Sequence, residues 1–108
     1  MRIGVPKEIK DHEYRVGITP DGVRQLVNQG HEVVVEKNAG SRIGYSDDMY
    51  LNSGAHVADV IEDVYESDII VKVKEPQSSE INMFHEGQIL FGYLHLAPEA
   101  ELTRSLVE

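Results

Sequence analysis

Short runs of valine and isoleucine recur between stretches whose apolar residues fall at helical spacing, and that alternation marks βα units feeding a mostly parallel sheet. The first expected strand is Arg2 to Val5, ended by Pro6, and the polar loop beyond it carries Asp11, His12, Glu13 and Arg15 before Val16-Gly17-Ile18. Thr19-Pro20-Asp21 then predicts a helix start. Threonine can cap, proline at the first helical position loses no needed donor, and aspartate opposes the positive end of the helix dipole. Val23, Leu26 and Val27 supply its inward stripe and Gly30 closes it. His31 to Glu36 reads as the second strand, because β-branched residues favour extended backbone.

Asn38 to Gly44 is rich in turn residues and reads as a loop. Ser46 with Asp47 and Asp48 predicts a short helix to Leu51, and Asp59 with Glu62 makes a capping-box-like start for a helix from Val60 to Glu66. The strongest strand is Asp68 to Val73, after which Lys74-Glu75-Pro76 opens a loop because proline stops the pairing. Ser78 is expected to cap a helix through Phe84, with Gly87 ending it. Gln88 to Leu94 is a nearly continuous apolar run of the kind buried on both faces of a sheet, and His95 follows it directly. Pro98 opens a last helix with Leu102 and Leu106 inward, and no C-cap precedes Glu108, so the sheet is expected to be incomplete. The predicted class is α/β: a Rossmann-like or flavodoxin-like three-layer domain with a mostly parallel sheet and one core.

Composition narrows the partners. Hydrophobic residues at 41% and charged residues at 27% match a packed soluble domain. Against 19 Asp+Glu stand 10 Lys+Arg, a formal net charge of -9, so the surface repels phosphate backbones and anionic lipid and argues against nucleic-acid and membrane partners. The absence of cysteine removes disulfide and thiolate chemistry and accords with a reducing cytoplasm. Pro6, Lys7 and Glu8 interrupt the start before any stretch suited to a signal peptide, and no run approaches the ~20 apolar residues of a membrane-spanning helix.

In open parallel sheets the loops leaving the carboxyl ends of strands gather along one edge, where ligands bind near a switch in strand order. Arg15, Lys74 and His95 all fall in such loops. Arginine offers a planar fork for a carboxylate, lysine a point charge that polarises a carbonyl oxygen, and histidine a proton exchanger near neutral pH. Together they suit a 2-oxo acid, although each taken alone is more often a solvated or locally bonded group. A non-catalytic acidic module that binds an anion or a partner at the open end of its sheet stays a rival reading. His12, His31, His56 and His85 are scattered without metal-ligand spacing, so no metal is predicted. The pairs Asp47-Asp48 and Glu62-Asp63 fall in first turns of predicted helices, where negative charge stabilises the helix. Ser41 and Ser53 lack a nucleophile-elbow setting. Gly40 and Gly44 do not supply the G-x-G-x-x-G spacing of a dinucleotide loop, so no cofactor-binding residue is assigned.

Arg2-Ile-Gly-Val-Pro-Lys-Glu8 with Tyr14-Arg-Val-Gly-Ile-Thr-Pro20 is similar to the opening of alanine dehydrogenases and of the related transhydrogenase NAD-binding subunit. Gly30-His-Glu-Val-Val-Val35, Val71-Lys-Val-Lys-Glu-Pro76 and Gly87-Gln-Ile-Leu-Phe-Gly-Tyr-Leu-His-Leu-Ala97 resemble successive motifs of that superfamily in the same order, over nearly the whole chain. The Leu94-His95-Leu96-Ala97 string looks like alanine dehydrogenase, since transhydrogenase subunits generally lack the histidine. The loop Asn38 to Gly44 departs from the pattern, with Asn38 and Arg42 where glycines are common.

The resemblance implies that residues 1–108 are the N-terminal part of a substrate-binding domain acting on pyruvate and L-alanine. By position Arg15 and Lys74 would hold the carboxylate and carbonyl end, and His95 would transfer protons beside the reacting carbon, together with an aspartate of the nucleotide domain. NAD would be bound by a domain absent from this chain, which alone would be inactive. The full-length enzyme would be a homo-oligomer, a hexamer in the family. A transhydrogenase-type NAD-binding subunit is the nearest alternative.

Overall fold

The structure is a computed structural model and describes residues 1–9, 15–74 and 76–92. Five strands, β1 (Arg2–Val5), β2 (Glu32–Glu36), β3 (His56–Ala58), β4 (Ile69–Lys72) and β5 (Ile89–Gly92), form a sheet in the order β3-β2-β1-β4-β5. Every pairing is parallel, with Ile3 opposite Val33 on one side and Ile69 on the other. The helices are α1 (Pro20–Asn28), α2 (Asp47–Asn52), α3 (Ile61–Tyr65) and α4 (Ser78–Ile81).

Right-handed crossovers decide which face each helix covers. The connections running outward from β1 to β2 and β3 carry α1 and α2 over one face. There Ile3, Val5, Val33 and Val35 pack with Val23 and Tyr50. The connections that come back to β4 and on to β5 carry α3 and α4 over the other face, where Val34 and Ala58 pack against Val64. The result is the three-layer α/β sandwich expected from the alternation of runs.

Local chemistry sets the helix starts. Thr19 caps α1 by accepting from the Gly22 amide at 3.2 Å, with Pro20 in the first turn, and Ser46 caps α2 by accepting from the Met49 amide at 3.3 Å. Two caps differ from expectation. Helix α3 begins one residue later than the Asp59–Glu62 spacing suggests, its cap position is Val60, and no side chain caps it. In α4 the cap is Gln77, which forms a reciprocal box with Glu80, so Ser78 is already helical and the helix stops at Ile81, well short of Phe84.

Strand β3 is an addition to the expected set; three residues are too few to show an alternation. Strand β5 is a correction. The apolar run was expected to be buried on both faces, yet Ile89 is 52% and Phe91 68% exposed. This strand is the sheet edge among the described residues, with Ile89 and Phe91 opposite Ile69 and Val71 of β4. The expected last helix from Pro98 lies outside the described residues.

The loop that leaves β1 is tied down at once. Pro6 is buried, and the next amide, that of Lys7, donates to Glu36 Oε1 at 2.7 Å at the end of β2. Burial pushes the Glu36 carboxyl above the usual range, more than the Lys7 hydrogen bond pulls it down.

Two outcomes follow from this packing. Gly4 faces α3, where an added methyl would overlap the Val64 carbonyl oxygen and sit 2.8 Å from Ser67 Oγ. Gly4→Ala should therefore destabilise the fold by about 1–3 kcal/mol in urea unfolding. A change within experimental error would mean that α3 does not press on β1. Glu36→Gln keeps an acceptor for the Lys7 amide without a charge to desolvate. Because the folded-state value of Glu36 is raised, its stabilising contribution is present below the ordinary glutamate range and lost as pH rises through the raised value. The glutamine variant should gain on the parent as pH rises from the ordinary glutamate range, and a difference that stays constant with rising pH would contradict this.

Candidate substrate site

Strand order reverses between β1 and β4: the chain winds away from β1 on one side, then crosses to resume on the other. Parallel sheets open a crevice at such a point, outside the carboxyl ends of the two strands. Arg15 lies in the loop that follows β1 and Lys74 in the loop that follows β4, so the two flank this crevice. Arg15 is exposed and Lys74 half-buried. His95 lies outside the described residues.

A cleft of about 390 Å³ opens along this edge. One wall is Arg15, Val16, Gly17 and Thr19 from the loop before α1, and the opposite wall is Val71, Lys72 and Val73 with Phe91 and Gly92. Ile43 and Tyr45 close one end. Gly17 lets the walls approach: a Cβ there would lie 2.6 Å from the Val71 carbonyl oxygen. Lys74 is not among the cleft-lining residues, so Arg15 and the end of β4 share this cavity while Lys74 stands just beyond it. In the core, the hydroxyl of buried Tyr50 of α2 donates to the Ile18 carbonyl at 2.7 Å; burial pushes that phenol up to about 12.

Beneath the crevice is a charged cluster that the sequence did not single out. Lys72 is 2% exposed, and its Nζ donates to Glu8 Oε1 at 3.3 Å and to Glu80 Oε2 at 3.0 Å. The Tyr65 hydroxyl donates to the same Glu80 oxygen at 3.0 Å. Burial first, and then the charge of Glu80, raise the Tyr65 phenol, so it stays a donor. The second oxygen of Glu80 accepts the Gln77 amide at 2.8 Å, which ties α4 into the cluster. Glu8 accepts the backbone amides of Val73 at 3.1 Å and Lys74 at 3.2 Å. Two carboxylates thus share one ammonium, and the excess negative charge is met by backbone and phenol donors, as a buried carboxylate requires. The signal in the sequence was Lys72 itself: it shares a sheet face with Ile70, so a cation had to be neutralised under α3 and α4.

His85, His56 and Asp47 take ordinary places. His85 Nε2 is 3.2 Å from the Tyr65 carbonyl, and exposed His56 lies 3.9 Å from Glu32. Asp47 accepts the Asn38 amide at 2.8 Å from the first turn of α2. Asn38 itself adopts a left-handed backbone, φ 65°.

The described residues directly after β1 do not supply a phosphate loop for a dinucleotide. Where that fold order would set a glycine-rich phosphate loop, Pro6 and Lys7 come first and the Glu8 carboxylate fills the space under the crevice. Phosphate and carboxylate would repel. Among the described residues no helix is long and apolar enough to cross a membrane.

Comparison with known proteins agrees with this geometry. Residues 4–108 match the family model described as alanine dehydrogenase/PNT, N-terminal domain. The whole chain is 51% identical to an alanine dehydrogenase of Staphylococcus epidermidis and 49% identical to one of Bilophila wadsworthia. It spans 29% of the length of each. An L-alanine dehydrogenase structure superposes with a TM-score of 0.95 at 47% identity, over 98% of this chain and 29% of that one. A transhydrogenase from Sinorhizobium meliloti superposes with a TM-score of 0.92 at 27% identity, over 98% of this chain and 32% of that one. The chain belongs to the alanine dehydrogenase/PNT N-terminal domain family.

Proposed function

We propose that this chain is the acid-binding side of an NAD-dependent alanine dehydrogenase, which interconverts L-alanine, NAD and water with pyruvate, ammonium and NADH. What supports the reading is the position of Arg15 and Lys74 on the two loops flanking the β1–β4 switch, in a chain about half identical to alanine dehydrogenases along its whole length. The transhydrogenase reading is weaker, because identity falls to 27% there.

In this reading the Arg15 guanidinium pairs with the substrate carboxylate and fixes the acid in the crevice. The Lys74 ammonium stabilises negative charge as it grows on the carbonyl oxygen. His95 exchanges protons with the amine or the carbinolamine. Since the described residues directly after β1 do not supply a phosphate loop, NAD belongs to a part of the enzyme outside this chain. The working enzyme is then a cytoplasmic homo-oligomer, as the family resemblance implies.

The test uses a full-length enzyme made of this chain and the remaining residues of the Staphylococcus epidermidis relative. Lys74→Ala and His95→Ala should each lower alanine-dependent NADH formation by about 100-fold. Arg15→Ala should raise the KM for pyruvate about tenfold or more. Near-normal turnover in both Lys74→Ala and His95→Ala would end the assignment, and hydride exchange between nucleotides without alanine would favour the transhydrogenase.

A further inference from the structure

Glu8 joins the two loops of the crevice directly. It comes from the loop after β1, is 5% exposed, and reaches across to the end of β4. Its Oε1 accepts from the Lys74 amide at 3.2 Å and from Lys72 Nζ at 3.3 Å, while Oε2 accepts from the Val73 amide at 3.1 Å. Both oxygens are therefore engaged by donors from a three-residue stretch ending at Lys74. A carboxyl group can receive all three, whereas an amide in its place would turn its own N–H groups toward one of them.

We infer that Glu8 is a positioning residue: its buried carboxylate sets the backbone of Lys74, and through it the place of the Lys74 ammonium at the 2-oxo acid. This rests on the substrate reading proposed above. Lys72 cannot stand in for Lys74, since its ammonium is enclosed between Glu8 and Glu80 and its side chain is 1% exposed. Lys72 instead pairs with Glu8 in its buried place, at 3.3 Å. The two lysines, two positions apart, thus divide the work. One neutralises the carboxylate, and the other is aimed by it. Small displacements of a group that stabilises a reacting atom cost large factors in rate, so a device that fixes the backbone beneath Lys74 acts on substrate use as well as on the fold.

The experiment is a double-mutant cycle in the full-length enzyme described above, with pyruvate and NADH kinetics read separately. Glu8→Gln should raise the KM for pyruvate about tenfold, the scale of losing charge-assisted hydrogen bonds, and leave the KM for NADH within about twofold. In a Lys74→Ala background the same change should add nothing, because its target is gone. Glu8→Asp keeps the charge and should fall between parent and Glu8→Gln. If Glu8→Gln does not yield folded protein, Glu8→Asp carries the same cycle. Effects that multiply with Lys74→Ala, or an unchanged pyruvate KM in a folded Glu8 variant, would overturn the inference while leaving the substrate reading intact. Near-normal turnover in both Lys74→Ala and His95→Ala would instead remove the substrate reading.

Discussion

The loop leaving the central strand is held between its neighbours by one half-buried and one buried carboxylate. On one side the Lys7 amide donates to Glu36 at the end of β2, and on the other Glu8 receives the amides that follow β4. Successive residues are therefore fastened to opposite sides of β1. A loop that carries a substrate cation needs such anchoring, because a free segment would lose conformational entropy on every binding event. For Lys7 and Glu8 that cost falls on folding instead.

The same anchoring explains why a net-negative cluster sits in the interior. Separating Glu8 or Glu80 from Lys72 would leave a buried charge uncompensated, a loss of about 3–5 kcal/mol in comparable cases. Apolar residues of similar size would fill the space at less desolvation cost, but they could not receive the amides of Val73 and Lys74. The cluster is best understood through what it organises. Glu80 brings in α4 and Tyr65 of α3, Lys72 brings in β4, and Glu8 brings in the loop after β1. Four segments distant in sequence are thus registered around one ammonium directly under the crevice.

Much of this architecture is legible in the residues, and the exceptions have physical reasons. Thr19-Pro20-Asp21 and Ser46-Asp47-Asp48 announce their helices because capping is a local event, decided within a few residues. The β-branched runs at Arg2–Val5, Glu32–Glu36 and Ile69–Lys72 announce strands for the same reason. Strand β3 escapes because its pairing with β2, not its own composition, makes it extended. The Asp59–Glu62 spacing misleads because Asp59 lies one residue before the cap and faces Lys37 at 3.9 Å. The burial of β5 was misjudged since apolarity says what a strand can bury and not what lies above it. Arg15 and Lys74 are legible as candidates from their loops, while Glu8 and Glu80 read as ordinary surface acids until the fold brings Lys72 between them. Long-range electrostatic pairing leaves almost no trace in local sequence.

The most direct measurement is a crystal structure of the full-length enzyme carrying this chain, soaked with pyruvate. The account predicts the acid in the crevice between the loops after β1 and β4, with its carboxylate on the Arg15 guanidinium and its carbonyl oxygen within hydrogen-bond reach of Lys74 Nζ. Pyruvate bound elsewhere, with Arg15 and Lys74 turned to separate partners, would contradict it.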